Sequence, residues 1–397
     1  MFNARALVPV IALAALAALI VAWRKDRLAA LRKIDLTLAV LLAGYICAML
    51  LASFGWEGTG SPIVSIVKFL GIALMALTLV PLQSGLTASD RQWVFLAFLT
   101  SVTICIAWIL IDVGTSGSIS SIAFGYTGTD DGPNPELQYY GYFWYKSVSA
   151  LLGVSVLVLG IYMRSRAGIV AALALSFFCV LGADLIGSRT AALGVVCALA
   201  AGVLYHLIGR HRLKALLAGT AAAFLLPLWI AASGVSPDDI TAKLEAGQPG
   251  SYSIAYRMHI WDYVTDKIME KPILGWGAGS SKHLGTDAQG QLTDAKFGLL
   301  GEPIPVHPHN GVLQVWLEFG AVGAIAAFAL LARMMVLADR RAVTPARRIW
   351  SFSAIALLGC FFGFNFSISS SWWLASIVAL TSIAAAFMPA RDITEHA

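Results

Sequence analysis

The sequence predicts an all-α polytopic membrane protein. Hydrophobic residues make up 58% of the 397 residues and charged residues only 12%, whereas soluble domains average about 25% charged residues. The mean hydropathy is +0.78. Apolar runs of the length that a bilayer requires, roughly 20 residues, recur along the whole chain. This composition excludes a string of soluble domains. The net charge of +5 then indicates membrane topology rather than nucleic-acid binding.

Eleven apolar runs are candidate transmembrane helices. They cover residues 6–23, 36–54, 62–82, 93–111, 146–163, 168–187, 190–208, 213–232, 312–337, 349–367 and 371–389. The first run lacks a convincing small-residue cleavage site and precedes a basic cluster, so we expect a retained helix rather than a signal peptide. The run at 312–337 is long enough for a short helix that ends near Gly320, followed by a full span.

The predicted domains follow from these runs. Residues 1–232 form an N-terminal bundle of about eight spans, 233–310 a loop domain, and 311–397 about three spans with a tail. Basic residues concentrate in alternate connections, at 24–33, 91, 164–166, 210–214 and 333–348. The positive-inside rule places these connections in the cytoplasm, together with the C-terminus. Eleven spans would place the N-terminus outside.

The loop at 233–310 is the first candidate for function, because a loop of that length usually carries it. It holds nine acidic and six basic residues and lies on the outer side, as does the loop at 112–145. Apolar residues at three- and four-residue steps predict a helix over 251–270, which Pro272 ends. Arg257 and Trp261 are four residues apart and share one face of it.

A glycine-rich stretch follows this helix. Gly275, Gly277 and Gly279 alternate along 272–280 and would allow backbone N–H groups to approach a ligand closely. An ordinary glycine-rich loop is the alternative interpretation.

The loop ends at His307, His309 and Asn310, directly before the next apolar helix. Asn310 is a favourable N-cap residue. The positive end of the helix dipole favours anions and lowers the pKa of a nearby imidazole. A neutral His309 could accept a proton from an incoming hydroxyl. A purely structural histidine at the membrane surface is the alternative.

Four further ionisable residues lie in or at the edge of predicted spans, where such residues are costly and often functional. Arg189 is in a tight outer turn and could pair with Asp184. Lys68 could extend outward to the interface, and Glu318 could cap a break at Gly320. Two arginines and a lysine on the outer side would nevertheless suit a phosphorylated, membrane-bound substrate, because arginine binds phosphate in a bidentate fork.

Other chemistries find no support in the sequence. It contains no H-E-x-x-H, no P-loop and no nucleophile elbow, so soluble ATP chemistry on the outer face is not expected. All five cysteines lie in apolar runs, which suits neither a disulfide nor a cysteine-rich metal site. We see no internal repeat of hydropathy, a pattern that many secondary transporters show.

Residues 185–320 resemble the bacterial O-antigen ligase/polymerase superfamily, and the hydropathy plan of the whole chain resembles it too. The motifs that carry the resemblance are Ser188-Arg189-Thr190, Arg257 with Trp261, the stretch 272–279, and His309-Asn310 ahead of Gln314, Glu318 and Gly320. Members of this superfamily transfer a glycan from undecaprenyl diphosphate to an acceptor hydroxyl on the periplasmic face of the inner membrane. The acceptor is a lipid A–core sugar in ligases, a second lipid-linked repeat in polymerases, and a protein hydroxyl in a third branch.

The resemblance implies a metal-independent, inverting, GT-C-like glycosyltransferase without a cofactor. By position, His309 would orient or deprotonate the acceptor, and Arg189 and Arg257 would bind the diphosphate and stabilise its charge. The further substrate-binding candidates are Lys68, Trp261, Gly277, Gly279, His307, Asn310 and Glu318. Ligases of the family usually have twelve spans with both ends cytoplasmic, where we count eleven, so the side of the N-terminus stays open.

Within the superfamily we favour the ligase. Polymerases tend to carry two substantial outer loops with arginines, and the loop at 112–145 has none. The expected partners are an undecaprenyl-diphosphate-linked glycan, lipid A–core and the bilayer, with no nucleic acid. The alternatives are a polymerase or a protein O-oligosaccharyltransferase. A lipid-linked glycan transporter or flippase is the competing class, but it should place its charges near the midplane. A purely structural subunit would leave the long loop unexplained.

Overall fold

A computed structural model of the chain describes most of its residues. The described residues are 7–24, 31, 34–54, 61–115, 140–163, 189–248, 250–286, 290–305, 307–364, 367–368 and 370–388. Over these residues the fold is almost entirely helical, which confirms the all-α membrane class.

The helices before the long loop overlap the predicted spans, although those predicted at 93–111 and 146–163 begin five and six residues earlier, at Ala88 and Tyr140. In chain order they are α1 (Leu7–Arg24), α2 (Leu36–Ala52), α3 (Pro62–Ser84), α4 (Ala88–Gly114), α5 (Tyr140–Tyr162), α6 (Arg189–Leu207), α7 (Arg212–Phe224) and α8 (Leu226–Ser233). The run predicted at 213–232 is therefore divided between α7 and α8. The run predicted at 168–187 lies outside the described residues.

The long loop contains its own secondary structure. Its elements are α9 (Pro237–Thr241), α10 (Ser251–Glu270), α11 (Ser281–Thr286), β1 (Leu292–Asp294) and β2 (Gly298–Gly301). Helix α10 has the bounds that the sequence predicts. The antiparallel hairpin of β1 and β2 was not predicted. Three helices follow: α12 (Gly311–Arg341), α13 (Pro345–Phe364) and α14 (Ser371–Phe387).

Four of these helices, namely α3, α4, α12 and α13, are long and apolar enough to cross a membrane, judged by length and composition. The sharply bent pair formed by α6 and α7 would make a fifth span. The protein is therefore a multi-pass membrane protein. The total of eleven or twelve spans stays a prediction, as do the three domain boundaries.

The two largest hydrophobic cores among the described residues organise the bundle. Helix α13 packs against α5 and α6 around Leu157, Leu357 and Trp373. Helix α12 packs against α2, α7 and α10 around Ile260, Leu313 and Phe319. The second core places the long loop directly against the start of α12.

Helix α12 is broken at Gly320, where φ is 59° and ψ is −159°. The sequence predicts a short helix ending near this residue, and the structure confirms it. The first ten residues of α12, from Gly311 to Gly320, are all buried. They form a separate short helix whose N-terminus lies where the long loop ends.

A buried carboxylate, Asp294, closes the loop onto α10. It accepts hydrogen bonds from the Thr241 hydroxyl at 2.6 Å and from the backbone N–H groups of Lys296 and Phe297. Its Oδ2 also lies 2.9 Å from His259 Nε2. Burial acts to raise the pKa of Asp294, but these hydrogen bonds outweigh it and hold the pKa below its usual range. The anchored carboxylate fixes the hairpin beside α10.

Candidate active site at the start of the broken helix

The segment 307–310 is anchored at both ends. Trp261 on α10 donates from its indole Nε1 to the Pro308 carbonyl at 3.0 Å. Asn310 is the N-cap of α12, and its side chain accepts from the N–H groups of Val312 at 2.9 Å and Leu313 at 3.1 Å. This confirms the predicted N-cap. The N-cap and Trp261 fix His309 between them.

His309 has an unusual backbone conformation. Its φ of 53° makes it the only residue other than glycine with a positive φ in the described ranges. Its N–H donates to Nδ1 of His307 at 3.1 Å, and the two imidazole rings lie 4.4 Å apart between centroids. Because Nδ1 of His307 accepts this bond, the proton of a neutral His307 must be on Nε2.

Arg257 lies close enough to act electrostatically on both histidines. Burial, followed by the charges of His309 and Arg257, lowers the pKa of His307 to about 3. Burial, followed by the charge of Arg257, lowers the pKa of His309 to about 4. Both imidazoles are therefore neutral at pH 7, as the sequence analysis expects for His309. The structure thus brings together Arg257, Trp261, His307, His309 and Asn310, which lie up to 53 residues apart in the chain.

Two polar groups in this cluster have no partner within the described structure. Nδ1 of His309 is buried without a hydrogen bond. The partly buried guanidinium of Arg257 makes no hydrogen bond or ion pair to any described residue, and burial lowers its pKa. Buried polar groups are normally paired, so unpaired ones call for an explanation such as a role in binding or catalysis. We refer to Arg257, His307 and His309 as the open cluster.

The glycine-rich stretch has a different role from the one that the sequence suggests. Gly277 donates its N–H to the Glu318 carbonyl, and Gly279 donates its N–H to the Glu318 carboxylate, both at 2.8 Å. The interpretation of these N–H groups as free donors for a ligand is therefore corrected, because α12 already uses them. The stretch supports the broken helix.

Close backbone contact explains two of the glycines. A Cβ on Gly320 would lie 2.3 Å from the Ile273 carbonyl oxygen, and one on Gly275 would lie 2.6 Å from the backbone of Glu318. Both residues also have positive φ. Beyond the break, Ala321 donates its N–H to the Pro272 carbonyl at 2.9 Å. The carbonyls and N–H groups released at the break are thus paired with the glycine-rich stretch.

Glu318 is completely buried and fully hydrogen-bonded. Besides the Gly279 bond, its carboxylate accepts from the Ser281 hydroxyl at 2.7 Å and from the Gln314 amide at 2.8 Å. Gln314 extends the network by accepting from the N–H of Ile368 at 3.1 Å. We refer to Gly279, Ser281, Gln314 and Glu318 as the closed network. Sequence reasoning missed Ser281, since an isolated serine beside a turn gives no signal of its partner.

The remaining predicted site residues are Arg189 and Lys68. Arg189 is the first residue of α6, and its side chain, with Ser188 and Asp184, lies outside what the structure describes. Lys68 is exposed on α3. Their predicted roles stay predictions.

A possible metal site was not expected from the sequence. Ligand atoms of Asp238, His259 and Asp294 lie within 4.8 Å of one another, the only such group in the described part of the chain. The oxygens of Asp294 already accept hydrogen bonds from Thr241, Lys296 and Phe297, and lie against His259. The group is therefore fully accounted for as the anchor of the hairpin.

The fold and the site define a class of protein. It is a multi-pass helical membrane protein with neutral histidines at the N-terminus of a broken helix, near an arginine that has no partner among the described residues. A guanidinium near a helix N-terminus makes the site suited to an anionic ligand.

Comparison with known proteins agrees with this class of membrane protein and relates part of the chain to one family. Residues 174–328 match the family described as O-antigen ligase, which confirms the resemblance seen in the sequence. Both the open cluster and the closed network lie within that segment, apart from the contact at 367–368.

Curated relatives are named as candidate polysaccharide ligases. One from Rickettsia conorii is 33% identical over 153 residues, which is 37% of this chain and 34% of the relative. One from Rickettsia typhi is 31% identical, over 37% of this chain and 35% of the relative. One from Rickettsia bellii is 37% identical over 94 residues, covering 24% of this chain and 22% of the relative. The matched region thus spans about a third of the length of the first two.

Proposed function

We propose that this protein is a glycosyltransferase of the O-antigen ligase type. It transfers a glycan from undecaprenyl diphosphate to a sugar hydroxyl of lipid A–core, on the periplasmic side of the bacterial inner membrane. The observation that supports this most is the open cluster, in which a neutral imidazole lies within electrostatic range of a guanidinium that has no partner among the described residues. The family match and the names of the relatives support the reaction class.

The proposed step is an inverting displacement at the anomeric carbon. The acceptor hydroxyl oxygen forms a bond to that carbon from the face opposite the diphosphate, and the bond from carbon to phosphate oxygen breaks. The hydroxyl proton passes to His309, and the electron pair leaves with the diphosphate. The products are a new glycosidic bond and undecaprenyl diphosphate. No cofactor or metal enters this scheme.

Arg257 is proposed to stabilise the charge that develops on the leaving diphosphate. Its guanidinium has no described partner, so it can direct bidentate hydrogen bonds to phosphate oxygens. It is also partly buried, and a fixed charge in a site shielded from water stabilises a transition state more effectively than one in solution. Arg189 is proposed as the second phosphate ligand, from its position at the start of α6.

The pKa of His309 adds a condition to this scheme. A base with a pKa of about 4 is neutral at pH 7 but weak, and general bases work best when the pKa is near the working pH. An anionic diphosphate beside Arg257 would offset the charge that lowers this pKa. Donor binding would therefore strengthen His309 as a base before the acceptor reacts.

The proposed function is tested by reconstitution. Purified protein in proteoliposomes is supplied with undecaprenyl-diphosphate glycan, with or without rough lipopolysaccharide as acceptor. We expect glycan to appear on lipopolysaccharide, and His309→Ala to abolish the transfer. Activity lost with EDTA and restored by a divalent metal would contradict the metal-independent scheme.

The other products identify the alternatives. Longer lipid-linked glycan without lipopolysaccharide would indicate a polymerase. Movement of the donor between leaflets with no new glycosidic bond would indicate a flippase and overturn the enzyme assignment.

A further inference from the structure

The bond between His307 and the backbone of His309 explains how the unusual conformation of His309 is maintained. Residues with a side chain rarely adopt positive φ, and such a conformation persists only when surrounding contacts fix it. At His309 three contacts do so. Trp261 holds the Pro308 carbonyl, Asn310 caps α12, and Nδ1 of His307 accepts the His309 N–H at 3.1 Å.

The His307 contact is the one that acts on His309 itself. The Trp261 bond ends on the preceding residue, and the cap begins at the following one. Only the His307 bond holds the peptide N–H of His309, and the two rings also pack at 4.4 Å. Loss of this bond would release the backbone whose φ sets the direction of the His309 side chain.

We propose that His307 is a positioning residue, which holds the His309 imidazole in place through Nδ1 and does not itself contact the substrate. This inference rests on the proposed function, in which His309 receives the acceptor proton. It differs from the interpretation of His307 as a substrate-binding residue, because the Nδ1 atom is already engaged within the protein.

Two conservative substitutions distinguish the role of Nδ1 from the role of Nε2 in His307. In asparagine, Oδ1 takes the place of Nδ1, and asparagine commonly accepts a backbone N–H two residues further on. In glutamine, the terminal amide reaches the place of Nε2 and leaves the Nδ1 position vacant. We call the bond from the His309 N–H to Nδ1 of His307 the clamp. If His307 acts through Nδ1, His307→Asn should preserve the clamp, and His307→Gln should behave as His307→Ala does.

The first measurement is steady-state transfer in proteoliposomes. We expect His307→Ala and His307→Gln to lower kcat by roughly 100-fold, the effect of a misplacement of about 1 Å in a reacting group, with little change in the donor KM. His307→Asn should recover most of this loss. An active glutamine variant beside an inactive asparagine variant would overturn the proposal in favour of direct substrate contact. Unchanged kcat in all three variants would also overturn it.

The second measurement does not depend on activity. Diethyl pyrocarbonate modifies imidazoles, and peptide mass spectrometry gives its rate at His309 relative to exposed His211 in the same molecule. We expect the wild-type ratio in His307→Asn and an altered ratio in His307→Ala. An equal ratio in all variants would contradict the clamp. If the wild type transfers no glycan but the ratio changes as expected, the proposed function fails while the clamp stands.

Discussion

The open cluster lies at the N-terminus of the ten-residue helix Gly311–Gly320 and the closed network lies along it, yet the two differ in how their polar groups are paired. In the closed network each donor that faces Glu318 is used: a backbone N–H, a hydroxyl and an amide all bind its carboxylate. In the open cluster, Nδ1 of His309 and the guanidinium of Arg257 have no partner among the described residues.

This difference distinguishes polar groups that stabilise the fold from polar groups that are available to a ligand. Buried polar groups that serve only the fold are hydrogen-bonded within it, since an unpaired one costs about 1–3 kcal/mol. The unpaired groups of the open cluster are the ones that we expect a ligand to bind. Substitutions in the open cluster should therefore reduce activity more than stability, and those in the closed network should do the reverse.

The largest effect is expected for His309→Ala. Loss of a general base typically slows a reaction by about 10²–10⁴-fold, while the thermal midpoint should change little, because the fold does not use Nδ1 of this side chain. Transfer rates and thermal unfolding of the detergent-solubilised protein measure both, with exposed His211→Ala as the control. A large fall in Tm with unchanged kcat would reverse the comparison.

Arg257→Gln should follow, with a loss of about 10²–10³-fold in transfer. Arg257→Lys should recover little, since lysine lacks the bidentate fork. The matched control is Lys271→Gln, an exposed cation that stacks on Trp276 beyond the same helix. Donor titrations with each variant give kcat and KM. Full activity in Arg257→Gln would remove the diphosphate role.

Glu318→Gln tests the closed network with a nearly isosteric change. Its amide N–H₂ would face the N–H of Gly279 or the donors from Ser281 and Gln314. We expect a loss of stability of about 1–3 kcal/mol for the unsatisfied group, seen as a lower Tm. The kcat of the protein that remains folded should fall less than in His309→Ala. A normal Tm with abolished transfer would place Glu318 in the reaction instead.

Gly320→Ala should affect activity less than the substitutions above, but it should lower stability. An L-residue with this φ and ψ, a combination that glycine almost alone adopts, costs about 1–3 kcal/mol, and the added methyl would also clash with the Ile273 carbonyl oxygen at 2.3 Å. Gly219→Ala on α7, where a Cβ meets open space, is the matched control and should be neutral or stabilising. Equal Tm values for the two variants would argue against the packed break.

The smallest expected effect is a shift in the pH dependence of transfer, which reports the pKa of His309 with and without bound donor. In the free enzyme the pKa of His309 is about 4, so kcat/KM should fall as the pH drops through about 4 and the imidazole becomes protonated. Bound diphosphate offsets Arg257, so the acid limb of kcat should lie at a higher pH than that of kcat/KM. Coincident limbs would show that the donor leaves the His309 pKa unchanged.

The sequence predicts local features of this site well, because they depend on nearby residues. The helix at Ser251–Glu270 follows from apolar spacing and Pro272, the cap from Asn310, and the break from Gly320. Contacts between residues far apart in the chain could not be predicted in this way. The bond from Ser281 to Glu318 spans 37 positions in the chain, and no local pattern specifies it.

The unusual backbone conformation of His309 could not be predicted from the sequence either. Nothing in the order His307-Pro308-His309 requires a positive φ, which arises from the anchors on either side. The glycine-rich stretch shows the limit of a motif interpretation. Glycines indicate close backbone approach, but the sequence does not say whether the approaching group is a ligand or, as here, Glu318 and Phe319.

The break at Gly320 has a consequence for exchanging parts between related proteins. A chimera that joins a foreign loop to this bundle at Asn310 would separate the glycine-rich stretch from Leu317, Glu318 and Ala321, to which its backbone is bonded. A junction placed after Val322 keeps the loop, the cap and the short helix together, so that they are exchanged as one unit. The favourable junction for exchanging specificity thus lies about three helical turns inside α12, rather than at its N-terminus.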